Sequence, residues 1–140
     1  MPIDKIYHPA ALLSAVAYYL LGLLWYGWLF RSDWMGLAHL TPSFVNSGDP
    51  VPSLVAVAMS LVLAYVVAIA LVRDQKRSVT RGARFGLFVG VGLVASTMLV
   101  NYLFEGRPVE LWLINSGYVV LGLMMIGAIV GGWKKSAANQ

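Results

Sequence analysis

Long apolar stretches alternate with short polar ones along the chain of 140 residues. Residues 9–30, 50–72, 85–104 and 111–133 contain no Asp, Glu, Lys, Arg or His. Each stretch has about the 20 residues that a helix needs to cross the hydrocarbon of a bilayer, where the backbone must form its hydrogen bonds within the segment. The pattern predicts an all-α polytopic membrane protein, a single domain with four transmembrane helices in a bundle at about 9–30, 51–72, 84–104 and 110–133.

The segment between the first two spans, residues 31–50, is predicted to lie on the outer surface of the membrane. It begins after an aromatic cluster that is typical of the headgroup boundary. Asp33 is placed to cap a short interfacial helix at 34–40, which Pro42 would end. Residues 43–53 are rich in Ser, Gly and Pro and predict irregular chain. Thr80 is expected to cap the third helix.

Three charges crowd the turn between the third and fourth spans, at Glu105, Arg107 and Glu110. Gly106 is suited to end a helix in a left-handed conformation, and Pro108 is tolerated in the first turn of the next helix. Glu110 lies in that first turn, where the helix dipole favours a negative charge. The stretch therefore predicts a tight helical hairpin that emerges into water.

Composition and charge agree with a membrane protein and set its orientation. The chain is 59% hydrophobic and only 11% charged, whereas soluble domains carry about 25% charged residues. Eight basic residues belong to the side that holds the termini and two to the other side. The eight are Lys5, Arg73, Lys76, Arg77, Arg81, Arg84, Lys134 and Lys135, and the two are Arg31 and Arg107. The positive-inside rule predicts a cytoplasmic (inner) membrane protein with both termini in the cytoplasm, and the charge is not a nucleic-acid signal.

Glycines at helical spacing mark where helices approach each other closely. Gly82, Gly86 and Gly90 lie on one face of the third span, and Gly127 and Gly131 on one face of the fourth. Such small-residue faces let helices associate in lipid. Two alternatives stay open: packing within this bundle, or association with another copy or a larger membrane complex.

A polar layer is predicted in the outer third of the bundle. Asn101 and Asn115 stand at similar distances from the hairpin turn, about 6–8 Å below it at a rise of 1.5 Å per residue, and Tyr26 is at a matching depth on the first helix. The ligand-binding candidates are the layer and its covering residues, namely Tyr26, Asn101, Asn115, Glu105, Arg107 and Trp25. The alternative interpretation is hydrogen bonding between helices.

Signs of catalysis or coupled transport are absent from the sequence. No span carries an ionisable carboxylate or base, which proton-coupled and cation-coupled carriers place inside the membrane. Cysteine is absent, and His8 and His39 belong to opposite sides of the membrane. We expect no enzymatic activity, no cofactor and no metal site.

Two parts of the chain resemble a bacterial membrane family known as domain of unknown function 1761. Residues 22–30 read Gly-Leu-Leu-Trp-Tyr-Gly-Trp-Leu-Phe and are followed by Trp34, and residues 101–108 read Asn-Tyr-Leu-Phe-Glu-Gly-Arg-Pro. The likeness continues through Leu-Ile-Asn-Ser-Gly-Tyr at residues 113–118. The resemblance implies a four-span membrane fold and no particular activity.

Two hypotheses for function follow. The first is a non-catalytic accessory or assembly protein that presents its glycine faces and aromatic belt to a partner or to another copy. The second is binding or uncoupled passage of a small neutral or amphipathic molecule through the outer polar layer, which requires a cavity there. The lipid bilayer is the surrounding medium in both.

Overall fold

The structure is a computed structural model and describes residues 2–133, all of whose regular elements are helical. A short 3₁₀ turn, Pro2–Lys5, precedes the helices. The helices are α1 (His8–Leu29), α2 (Arg31–Leu37), α3 (Pro42–Val45), α4 (Val51–Leu71), α5 (Val79–Phe104) and α6 (Val109–Gly132). Of these, α1, α4, α5 and α6 are long and apolar enough to cross a membrane. The predicted all-α class with four transmembrane helices is confirmed. Lys134 and Lys135 lie outside the described residues.

The third span begins several residues before the predicted position. Its first residue is Val79, because Ser78 rather than Thr80 caps the helix. The Ser78 hydroxyl accepts a hydrogen bond of 3.2 Å from the Arg81 N–H, and this satisfies one of the four free donors at the helix start. The prediction that Thr80 is the cap was wrong. Arg81 and Arg84 therefore belong to the first turns of α5, which precede its uncharged part.

The connection between α1 and α4 contains more helix than the sequence predicted. The interfacial helix begins at Arg31 and ends at Leu37, so Asp33 lies in its first turn and does not cap it. A carboxylate in the first turn still interacts favourably with the helix dipole. Thr41 caps the next short helix, α3, by accepting a hydrogen bond of 3.2 Å from the Phe44 N–H. The predicted irregular stretch 43–53 thus includes most of α3 and the start of α4.

The hairpin between α5 and α6 has the predicted left-handed glycine. Gly106 has φ of 68°, and two backbone bonds close the turn. The Arg107 N–H donates to the Tyr102 carbonyl at 2.8 Å and the Gly106 N–H to the Leu103 carbonyl at 3.3 Å, the pair of bonds that defines a Schellman helix end. Pro108 precedes α6 rather than lying in its first turn, which holds Glu110. We call this end of the bundle the hairpin end, and the opposite end, with Lys5 and Arg77, the basic end.

Helix α6 occupies the centre of the bundle and packs against α1, α4 and α5. Its contact with α5 is made through glycines of both helices. A Cβ on Gly82 would collide with the Gly127 carbonyl, and one on Gly86 would collide with the backbone of α6. A Cβ on Gly90 would lie 3.0 Å from Cα of Val120 in α6. A Cβ on Gly131 would lie 2.5 Å from the carbonyl oxygen of Ser78, the residue that caps α5. In this structure both glycine faces lie between two helices of the same chain.

Helices α1 and α4 pack through alanines near the basic end. Ala11 and Ala15 of α1 and Ala64 and Ala68 of α4 are at most 3% exposed. Toward the hairpin end α4 leaves the bundle, because every one of its residues 51–59 is exposed. We call residues 51–59 the free half of α4. Its apolar side chains face the space that lipid would occupy.

Candidate functional site

The candidate site is built on a widened turn near the end of α1. Residues Trp25–Leu29 form a π segment, in which the Phe30 N–H donates to the Trp25 carbonyl at 2.8 Å, five residues back instead of four. Such segments are rare and frequently occur at functional sites. Both aromatic residues at its start reach α6. The Trp25 indole N–H donates to the Ile114 carbonyl at 3.0 Å, and Tyr26 extends to a side chain of α6.

Three side chains from three helices form a continuous hydrogen-bonded chain. The Tyr26 hydroxyl donates to Oδ1 of Asn115 at 2.8 Å, and Nδ2 of Asn115 donates to the Tyr102 hydroxyl at 2.6 Å. We call Tyr26, Asn115 and Tyr102 the Tyr–Asn–Tyr layer. It connects α1, α6 and α5 through phenol and carboxamide groups, which exchange hydrogen bonds and carry no charge.

Aromatic rings extend the layer along α1 and α6 toward the basic end. The Tyr118 ring lies between those of Tyr18 and Tyr26, with centroids 4.8 and 5.3 Å away, and the Tyr118 hydroxyl donates to the Tyr18 carbonyl at 3.1 Å. Tyr18 fits because α6 has a glycine beside it, since a Cβ on Gly122 would collide with the Tyr18 ring. Sequence analysis assigned no role to Tyr18. The match of Gly117 with Trp25 and of Gly122 with Tyr18 is the signal that could have found it.

The hairpin covers the layer on its α5 side. The Arg107 guanidinium carbon lies 4.0 Å from the centroid of the Tyr102 ring, a cation–π contact. Nη1 of Arg107 is 3.6 Å from Oε2 of Glu105. Both charged side chains are substantially exposed, at 41% and 59%, so their pairing contributes little to stability. The structure places Arg107 over Tyr102 of the layer, and a role of Arg107 in binding stays a prediction.

Asn101 lies outside the layer, on an exposed side of α5. Tyr102 occupies the place in the layer where the sequence predicted Asn101. The reason is a second π segment, Gly90–Ala95, in which the Ser96 N–H donates to the Val91 carbonyl. The buried residues of α5 are Gly82, Gly86, Gly90, Ala95 and Tyr102. The step from Gly90 to Ala95 is one residue longer than the two before it.

That longer step accounts for the exchange of Asn101 for Tyr102. Successive residues of a helix are rotated by about 100°, so in an unbroken helix three turns beyond Gly90 would bring Asn101 to face α6. The additional residue of the π segment moves this position to Tyr102. The sequence between Gly90 and Ala95 is apolar and contains no sign of the wider turn.

Side chains supply hydrogen bonds to the carbonyls of this π segment. The Trp112 indole of α6 donates to the Ala95 carbonyl at 2.9 Å. The Ser96 hydroxyl donates to the Gly92 carbonyl at 2.6 Å, and the Thr97 hydroxyl to the Leu93 carbonyl, also at 2.6 Å. A π turn interrupts the regular backbone hydrogen bonding of a helix. Because water is absent in the hydrocarbon, these side-chain bonds satisfy carbonyls that water would otherwise bind. Trp112 thereby connects the π segment to α6.

The described part of the chain offers little else for chemistry. Within residues 2–133, no group of three or more His, Cys, Asp and Glu side chains is placed to hold a metal ion. The buried side-chain nitrogen and oxygen atoms of these residues all have hydrogen-bond partners.

Comparison with known proteins identifies the family of the chain. The model of a protein family of unknown function, DUF1761, matches residues 9–131, which is most of the chain. No curated protein and no solved structure matches significantly. The chain belongs to the DUF1761 family, and this membership confirms the resemblance noted from residues 22–30 and 101–118.

Proposed function

We propose that this member of the DUF1761 family is a non-catalytic accessory or assembly protein of the cytoplasmic membrane, with both termini in the cytoplasm. The observation that carries the proposal is the Tyr–Asn–Tyr layer, whose polar groups are bonded to one another at 2.8 and 2.6 Å. A ligand that used these groups would have to compete with the hydrogen bonds that they already make to one another. A layer bonded within itself holds three helices in register.

The surface offered to a partner is the lipid-facing one. Gly82, Gly86 and Gly127 pack inside the bundle, which removes them as contacts for another protein. What remains outside is apolar and large: Phe104 is 91% exposed, Phe88 is 75% exposed, and the free half of α4 has no buried residue. In a membrane, association of such surfaces depends on close packing rather than on hydrophobic gain. The partner is another membrane protein or a second copy of this chain.

Binding of a small molecule is the function that this proposal competes with. It would require a ligand to break the bond from Tyr26 to Asn115, or to enter beside Arg107. Each lost bond between membrane helices costs on the order of 0.6 kcal/mol, and the ligand would have to replace it. The two functions therefore differ in what should leave the membrane together with the chain.

The test is native mass spectrometry after mild detergent extraction from the source membrane. Co-extraction of a different protein supports the accessory role. A mass that is a simple multiple of the chain mass, without an adduct, supports an assembly role in which the partner is a second copy of this chain. A single chain, either bare or carrying a small adduct, overturns the proposal. If an adduct is present, its loss from an Asn115→Leu variant, but not from Asn101→Leu, would assign ligand binding to the layer.

A further inference from the structure

A small cleft opens at the basic end, far from the Tyr–Asn–Tyr layer. It lies where α1 begins and where α4 and α6 end, and its cavity of about 10 Å³ has room for roughly one water molecule or one ligand oxygen. The lining residues are Lys5, Ile6, Tyr7, Ala10, Ala68, Val72, Arg77, Val130 and Trp133. The walls are mainly apolar, and both charged lining residues are cations.

Neither cation has an anionic partner among residues 2–133. The ion pairs described there join Arg81 to Asp74 and Arg107 to Glu105. Arg77 is held in place from one side, because its Nη1 donates to the Val72 carbonyl at 3.0 Å. A guanidinium has five N–H donors, so this single bond leaves others for a ligand. Two positive charges that have no anionic partner in the described part of the chain lie beside one cleft and favour an anion.

Aromatic rings form another side of the cleft. Tyr7 and Trp133 stack with their centroids 5.9 Å apart and their planes at 25°. Tyr and Trp rings are enriched at the level of lipid headgroups. Helix α1 also begins at this point, and its first N–H groups receive no side-chain cap from Tyr7, which adds a partial positive charge.

We propose that this cleft binds the phosphate group of an anionic phospholipid. One phosphate oxygen enters the cleft, while Lys5 and Arg77 bind the others with charge-assisted hydrogen bonds. The apolar walls and the Tyr7–Trp133 stack accommodate the glycerol and the first part of the acyl chains. The site is independent of the proposed accessory role and lies at the other end of the bundle from the layer.

The experiment titrates purified protein in detergent with phosphatidylglycerol and, separately, with phosphatidylcholine, and counts bound lipids by native mass spectrometry. The test variant is Lys5→Gln with Arg77→Gln. The control is Lys76→Gln with Arg84→Gln, which removes the same charge from exposed positions of the basic end that do not line the cleft. A basic residue near an anionic surface contributes enough to change binding about fivefold, so we expect roughly 25-fold weaker phosphatidylglycerol binding in the test variant only.

Inorganic phosphate identifies the source of the anion. If phosphate alone raises the unfolding temperature of the wild-type protein and not of the test variant, and phosphatidylglycerol binding is equal in both, the site takes a soluble phosphate. Equal loss of lipid in the test and control variants overturns the site, and so does unchanged lipid binding in both variants when phosphate also has no effect. Lys5→Gln alone serves if the double variant is unstable, because Lys5 is exposed and its loss should still weaken binding about fivefold.

Discussion

Asn115 is the residue on which the Tyr–Asn–Tyr layer depends, because it bonds to a tyrosine on each side. Asn115→Leu removes both bonds and leaves the hydroxyl of Tyr102, which is 5% exposed, without this partner. An unpaired buried polar group costs about 1–3 kcal/mol. We expect the free energy of unfolding to fall by that amount, measured by thermal or denaturant unfolding in detergent.

Asn101→Leu is the matched control, since it is the same substitution at an exposed amide of α5. It should leave stability nearly unchanged. Equal losses in the two variants would mean that the layer does not hold the helices together. Asn115 could be placed from the sequence by its distance from the hairpin turn, and Tyr26 by its distance from Arg31 at the end of the first helix. Asn101 could not, because its orientation depends on a backbone irregularity that apolar side chains do not reveal.

At the scale of helices, the crossing of α5 and α6 should tolerate no methyl group. Gly86→Ala would place a Cβ against the Leu123 carbonyl, and overpacking of this kind typically costs about 1–3 kcal/mol. Gly92→Ala is the control on the same helix, because nothing lies within 4 Å of its Cβ position. There we expect a gain of up to about 1 kcal/mol from helix propensity. Destabilisation by both substitutions, measured by thermal unfolding, would contradict the packing described for α5.

The π segment of α5 makes an unusual deletion tolerable. Removing Gly92 leaves enough residues for a regular helix in which Tyr102 still faces α6, so the variant should fold and keep the layer. Removing Val119 from the regular helix α6 should instead rotate all following residues by about 100° and misplace Leu123 and Ile126. Elution from a sizing column and the unfolding temperature distinguish the two variants. Loss of fold in the Gly92 deletion would show that the wider turn is required.

Element boundaries illustrate which features of helices a sequence reveals. The hydrocarbon requires about 20 apolar residues, so all four spans were recognised from their lack of charge. The start of α5 was placed too late, because Arg81 and Arg84 were treated as loop although Ser78 caps a helix that includes them. Long basic side chains reach the interface from inside a helix, and charge alone therefore misplaces such an end.

For the whole molecule, orientation in the membrane is the prediction that labelling can decide. The chain has no cysteine, so single cysteines introduced by Ser47→Cys and Gln75→Cys report on opposite ends without interference. Both positions are exposed. With the basic end in the cytoplasm, an impermeant maleimide should label position 47 in intact cells and position 75 only after lysis. The opposite pattern would reverse the orientation.

The shape of the whole bundle was less predictable than its helices. Nothing in the composition of α4 distinguishes residues 51–59, which leave the bundle, from the remainder, which pack near the basic end. Helix α1 presents the buried alanines Ala11 and Ala15 near the basic end, whereas Trp25 and Tyr26 near its other end bond to α6. Such divergence depends on three helices at once and cannot be derived from one span.

The widened turn of α5 also has a consequence for the history of the family. A residue gained or lost in a membrane helix ordinarily rotates every later side chain away from its neighbours. Insertions and deletions within spans are therefore rarely tolerated in evolution. Between Gly90 and Ser96 the helix can have either a wide turn or a regular turn with one residue fewer. A single codon could therefore be gained or lost there while Tyr102 keeps its hydrogen bond to Asn115. Relatives that differ in length within this helix should therefore show their alignment gap at this place, and those with the gap should still carry a hydroxyl or amide side chain opposite Asn115.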